Sequence, residues 1–126
     1  MSYLIVFLGA GVGGALRHGV NIAVMRLGWT TFPIGTLAIN VIGSFLIGVI
    51  AEYFALKAHL PHHWRLLLTT GILGGFTTFS AFSLDAALLY ERGRPALAAA
   101  YVLASVILSI AALFAALAIT RSLVKV

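Results

Sequence analysis

The groups in this chain that could hold an ion without carrying charge are concentrated in one segment, Thr69-Thr70-Gly71-Ile72-Leu73-Gly74-Gly75-Phe76-Thr77-Thr78-Phe79-Ser80-Ala81-Phe82-Ser83. It lies inside an apolar run, yet paired glycines followed by β-branched threonines make a poor stretch of helix. A helix interrupted at membrane depth is tolerated where its loose backbone is buried in protein or lines a cavity, and such places bind ions. The composition predicts an interruption at about Gly74–Phe79. Carbonyls ending the first half-helix would favour a cation, and N–H groups opening the second an anion. The alternative is a continuous helix whose glycines allow close packing. Phe79 and Phe82 are three residues apart, so both rings can share one side of a helix, and aromatic edges carry partial positive charge. Taken alone, a Phe pair at that spacing is more often core or lipid-facing.

Two other runs carry polar stripes. Thr36, Asn40, Ser44 and Gly48 recur at steps of four, as do Tyr101, Ser105 and Ser109, placing each set along one helical face. Such stripes either hydrogen-bond across helix interfaces or line a hydrated path. Asn40 fits the first reading least well, because its amide offers two donors that are costly to leave unpaired near mid-membrane. Together with Phe79, Phe82, Ser80 and Ser83, these groups would form a donor-rich path without fixed charge, suited to a small anion that must lose water and still leave.

Other chemistries find little support. The chain has no cysteine, and its carboxylates are Glu52, Asp85 and Glu91. Glu52 and Glu91 fall at the ends of apolar runs and are expected to be solvated. Asp85 lies deeper and is expected to face a vestibule. Arg17 either snorkels to the headgroups or organises the third run through its backbone carbonyls. His59, His62 and His63 lie in a connector without a nearby carboxylate and read as a solvated loop rather than a metal site. No nucleophile with base and orienting group, and no phosphate-binding loop, is present. The chain reads as a transport protein, not an enzyme.

The elements that must position these groups are transmembrane helices. Of 126 residues, 62% are hydrophobic and 9% charged, with mean hydropathy +1.11; too few charges remain to cover a soluble domain of this length. A bilayer core requires roughly 20 mainly apolar residues in helix. Four runs meet that requirement, at about 4–25, 33–54, 66–90 and 96–120, and the chain is expected to form a single all-α four-helix transmembrane domain over 1–126. Pro33, Pro61 and Pro95 stand where helices begin, and Trp29, Trp64, Tyr53 and Tyr90 mark the headgroup level. The first run lacks the basic flank of a signal peptide and is expected to remain in the mature protein. The eight Lys and Arg are scattered singly, mostly at span edges, which suits lipid headgroups better than nucleic acid. One side of the membrane would carry Lys57, Arg65, Arg121 and Lys125, the other Arg26, Arg92 and Arg94. This near tie favours insertion in either direction, and hence an antiparallel homodimer, over one orientation fixed by a weak bias. Four helices around one axis leave no room for a hydrated path, so an oligomer is expected. Gly9-x-x-x-Gly13, Gly43 and Gly48 are small residues of the kind that let helices approach closely.

The Gly35-Thr36-Leu37, Asn40 and Gly43-Ser44-Phe45 pattern, with Gly74-Gly75-Phe76-Thr77-Thr78-Phe79-Ser80-Ala81-Phe82-Ser83 and Gly13-Gly14-Ala15-Leu16-Arg17, resembles the Fluc (CrcB) family of fluoride channels. The resemblance extends through all four spans. It implies a dual-topology, antiparallel homodimer in the inner (plasma) membrane of a prokaryote, with two pores through which cytoplasmic fluoride leaves passively. The fluoride-pathway roles would fall on Asn40, Phe79, Phe82, Ser83, Tyr101, Ser105 and Ser109, with Thr36 beside them. A structural sodium ion at the dimer centre would be held by backbone carbonyls of Gly74 and Thr77. The chain departs from the family pattern at Ala81 (commonly threonine), His18 (often aromatic) and Asp85 (usually glutamate); the last puts a vestibule role in doubt. A small multidrug exporter would share about four spans and an antiparallel dimer but needs a carboxylate in the first span, and none stands there. A membrane scaffold would need neither the hydroxyl ladders nor an interrupted span.

Overall fold

The computed structural model describes residues 1–28, 32–57 and 61–124, without the side chain of Lys57. Trp29, His59 and Lys125 lie outside the described residues. Helix α1 spans Ser2–Arg26 and α2 Ile34–Lys57. A short α3, His62–Leu66, runs into a π-helical stretch, Leu67–Leu73, and then α4, Gly74–Phe76. Helix α5 covers Ser80–Glu91 and α6 Pro95–Val124. Among the described residues, four stretches are long and apolar enough to cross a membrane: Ser2–Arg26, Ile34–Leu56, His62–Glu91 and Pro95–Val124. At about 1.5 Å per residue each exceeds a hydrocarbon core of about 30 Å.

The ends follow local chemistry. Pro61 caps α3 and Pro95 opens α6, where a missing N–H costs nothing. After α5 the chain turns at Gly93, whose φ of +78° needs glycine. There the Arg94 N–H donates to the Leu89 carbonyl at 3.0 Å, and the Gly93 N–H to the Tyr90 carbonyl at 3.0 Å, closing the helix with a Schellman-type cap.

Glycines set the packing. A methyl on Gly9 would lie 2.9 Å from the Cα of Gly71, and one on Gly13 would run into the Ile72 carbonyl and the Phe76 amide. Gly75 likewise faces the Ala10 backbone. Helix α1 therefore lies backbone to backbone on the π-helical stretch and α4. Gly48 does the same between α2 and α6, facing the Leu113 carbonyl and the Ala116 methyl. Offered above as contacts for an oligomer, Gly9, Gly13 and Gly48 are used inside the subunit. At the other end of the bundle Leu37, Leu89, Ala98 and Tyr101 form a buried cluster flanked by Phe32 and Phe82.

Glu52 corrects a second expectation. It is only 13% exposed, and its two carboxylate oxygens accept from Arg121 Nε at 3.2 Å and from a terminal guanidinium nitrogen at 3.4 Å. This two-point contact joins the ends of α2 and α6.

Gly11 has open space where a side chain would stand, whereas Gly13 does not. Gly13→Ala should destabilise the fold by about 1–3 kcal/mol, and Gly11→Ala should be neutral or slightly stabilising. Thermal unfolding in detergent checks this, and equal midpoints for the two variants would refute the packing.

Candidate functional site: a polar cleft beside the third span

Gly74–Phe76, expected above to be part of an interruption, are helical. The non-helical residues are 77–79: Thr77 is extended (φ −81°, ψ 158°), and helix resumes at Ser80. Asn40 of α2 meets this segment. Its Nδ2 donates to the Thr78 carbonyl and its Oδ1 accepts from the Thr78 N–H, both at 2.9 Å. One side chain thus satisfies both backbone polar groups of a residue that has no helical partner, as a non-aqueous setting demands. Gly43, one turn on, makes room, since a side chain there would strike the Thr77 methyl.

The Thr78 hydroxyl then covers the start of α5 from two residues outside it. Its oxygen accepts from the Ala81 N–H at 3.1 Å, satisfying one of the donors that a helix N-terminus leaves without an intrahelical partner. The two arrangements divert donors. The Thr78 N–H would complete α4 on the Gly74 carbonyl but goes to Asn40. The Ala81 N–H would reach the Thr77 carbonyl but goes to the Thr78 hydroxyl. The Gly74 and Thr77 carbonyls therefore lose their usual helical donors, and carbonyl oxygens of this kind suit a hard cation such as sodium.

Beside this segment lies a cleft of about 580 Å³. Asn40, Phe79, Phe82, Ser105 and Ser109 line it, as do Gly74 and Thr77. Phe79 is 78% exposed in the single chain, and its ring centroid lies 5.5 Å from that of Phe82. The Ser105 and Ser109 hydroxyls are buried and lack a hydrogen-bond partner among the described residues, a costly condition for a polar group. Among the described residues, no charged one lines the cleft.

The remaining candidates lie elsewhere. Tyr101 is fully buried, and its ring stands 5.2 Å from that of Phe82. Its hydroxyl donates to Asp85 Oδ2 at 3.3 Å, and the Thr36 hydroxyl donates to the same oxygen at 2.7 Å. Asp85, expected to face a vestibule, is half-buried and ties α2 and α6 to α5. Ser83 is exposed on α5, outside the cleft. Arg17 is half-buried on α1 and has neither an ion pair nor a hydrogen bond among the described residues. His62 and His63 are exposed, and no group of three or more metal-binding side chains occurs among the described residues.

Thr78 was missed as a site residue, although a threonine three residues before Ala81 at the head of an apolar run is a readable cap signal. The Arg121 contact to Glu52 left no local signal, since the partners are far apart in sequence.

Four apolar spans around an uncharged, donor-bearing cleft define a multi-pass membrane protein of the transport class. A family model described as CrcB-like protein, Camphor Resistance (CrcB), matches residues 4–117. The chain is 66% identical to the fluoride-specific ion channel FluC of Granulibacter bethesdensis, over 99% of this chain and 98% of that one. It is 59% identical to the FluC protein of Rhodopseudomonas palustris strain BisB5 (98% and 99% covered) and 58% identical to that of Methylobacterium nodulans (96% and 97%). The chain belongs to the CrcB family.

Asn40→Leu removes the partners of both the Thr78 N–H and its carbonyl and should cost about 2–5 kcal/mol. Amide hydrogen exchange at Thr78 should accelerate at least tenfold in this variant. Unchanged exchange would show that the Asn40 contact does not hold the segment.

Proposed function

We propose that this chain is a fluoride channel that lets cytoplasmic fluoride leave the cell passively. It works as an antiparallel, dual-topology homodimer in the inner membrane of a bacterium. The observation that carries the reading is the pairing of two buried, unpartnered hydroxyls, Ser105 and Ser109, with the rings of Phe79 and Phe82 around one uncharged cleft. An anion entering a narrow apolar space must exchange water for other donors. Hydroxyls, an amide and ring edges supply partial positive charge, and the absence of a fixed cation lets the ion leave again. Fluoride, the smallest halide and the strongest hydrogen-bond acceptor among them, gains most from such a lining. The names and near full-length identity of the relatives support the same ion.

In this reading the third span is interrupted for function. The path runs along Ser109 and Ser105, past Asn40 and the Phe79 and Phe82 rings, toward Ser83, with Tyr101 and Thr36 flanking that end through their hydrogen bonds to Asp85. The carbonyls of Gly74 and Thr77 hold a structural sodium ion at the dimer centre, where its charge steadies the interrupted backbones. Arg17 supports this region in the assembled dimer. The near balance of Lys and Arg on the two sides supports insertion in both directions.

Reconstituted in liposomes, the protein should pass fluoride and essentially no chloride. Phe79→Ile and Phe82→Ile should each cut fluoride flux at least tenfold, and replacing sodium by a bulky organic cation during purification should lower it without unfolding the helices. Liposomes that retain a fluoride gradient, or leak chloride equally, would defeat the proposal. Dual topology has its own test, because the chain has no cysteine. A Glu91→Cys variant in cells should be labelled to about half by a membrane-impermeant maleimide, and labelling near zero or complete would exclude it.

A further inference from the structure

Not every hydroxyl near the cleft can serve an anion, because an anion only accepts hydrogen bonds and needs an uncommitted O–H. The Thr69 hydroxyl donates to the Arg65 carbonyl at 2.8 Å and that of Thr77 to the Leu73 carbonyl at 2.9 Å. Both are the i−4 back-bonds that helical threonines readily make. The Thr78 hydroxyl oxygen accepts from the Ala81 N–H and lies 3.3 Å from that of Ser80, a contact in which either can donate, while Thr36 and Tyr101 donate to Asp85. Ser44 differs. It lines the cleft one turn beyond Asn40 and is half-buried. Its hydroxyl makes neither the back-bond to the Asn40 carbonyl nor any other hydrogen bond among the described residues. Ser105 and Ser109 of α6 line the same cleft in the same uncommitted condition.

We infer that Ser44 is a further anion-binding residue of the pathway, its hydroxyl on α2 acting with those of Ser105 and Ser109 on α6 to solvate the ion. Asn40 contributes from the same helix: one Nδ2 hydrogen holds Thr78, and the second is available to the path. Ser44 thus extends the donor-lined path one helical turn from Asn40, away from the Phe79 and Phe82 rings. This assignment rests on the fluoride-channel reading and adds a residue to it.

The test compares fluoride efflux from liposomes holding the unaltered protein, Ser44→Ala and Ser44→Thr. Flux through the unaltered protein checks the channel reading itself. Given that flux, Ser44→Ala should lower it five- to fiftyfold with helix content and unfolding temperature unchanged, and Ser44→Thr, which keeps the hydroxyl, should retain at least a third. Efflux from Ser44→Ala within twofold of the unaltered protein would overturn the assignment. A second arm does not depend on the alanine variant folding. Ser44→Cys, in a chain otherwise free of cysteine, should be blocked by micromolar silver ion in chloride-free medium. Leu46→Cys, exposed on another face of α2, should not. Equal silver sensitivity at the two positions, or none at Ser44→Cys, would place Ser44 off the path.

Discussion

The structure depends on the two hydrogen bonds between Asn40 and the backbone N–H and carbonyl of Thr78. In a bilayer no water reaches the backbone, so a helix can be interrupted only where another group takes up the N–H and carbonyl that leave the ladder. Asn40 does this with one planar amide, whose donor and acceptor match the donor and acceptor of a single residue. An aspartate would lack the donor, and a serine could not span both groups. The rest follows from this contact. Thr78 is placed to cover the start of α5, Phe79 and Phe82 are turned to one cleft, and two carbonyls are stripped of their helical donors.

That contact needs three helices to come very close, and glycine allows it. Gly43 admits Thr77 against α2, while Gly9, Gly13 and Gly75 let α1 lie against the π-helical turn preceding α4. In lipid, apolar side chains gain little by meeting one another, so association rests on close contact and interhelical hydrogen bonds. The small residues are therefore to this fold what a packed apolar core is to a soluble one. The contact between Glu52 and Arg121 and the convergence of Thr36 and Tyr101 on Asp85 tie the helices at different levels.

Counting hydroxyls overstates what a cleft offers an anion. Of the three threonines that line the cleft, Thr69 and Thr77 donate to helix carbonyls and Thr78 is engaged with Ala81 and Ser80, whereas the serines of α2 and α6 that line it make no hydrogen bond among the described residues. The difference has a conformational cause. A β-branched side chain in a helix has restricted χ1, and threonine readily adopts the rotamer that returns its hydroxyl to the preceding turn. Serine is freer to turn toward a cavity.

The sequence by itself determined the class of protein and the number of spans, and it placed Asn40, Ser105 and Ser109 on polar helical faces, whereas their meeting with Phe79 and Phe82 around one cleft is a result of packing. Hydropathy, helical periodicity and proline placement are local properties, and a bilayer leaves few folds compatible with them. Tertiary structure decided the partners. The glycines at 74 and 75 suggested where the third span would loosen, yet they remain helical, because it is Asn40, distant in sequence, that draws the backbone away at 77–79. Glu52 looked solvated because its partner Arg121 stands at the far end of another helix. Which hydroxyls are committed and which remain open was likewise invisible in composition, since hydrogen bonds depend on rotamer and on neighbours brought together only when the helices pack.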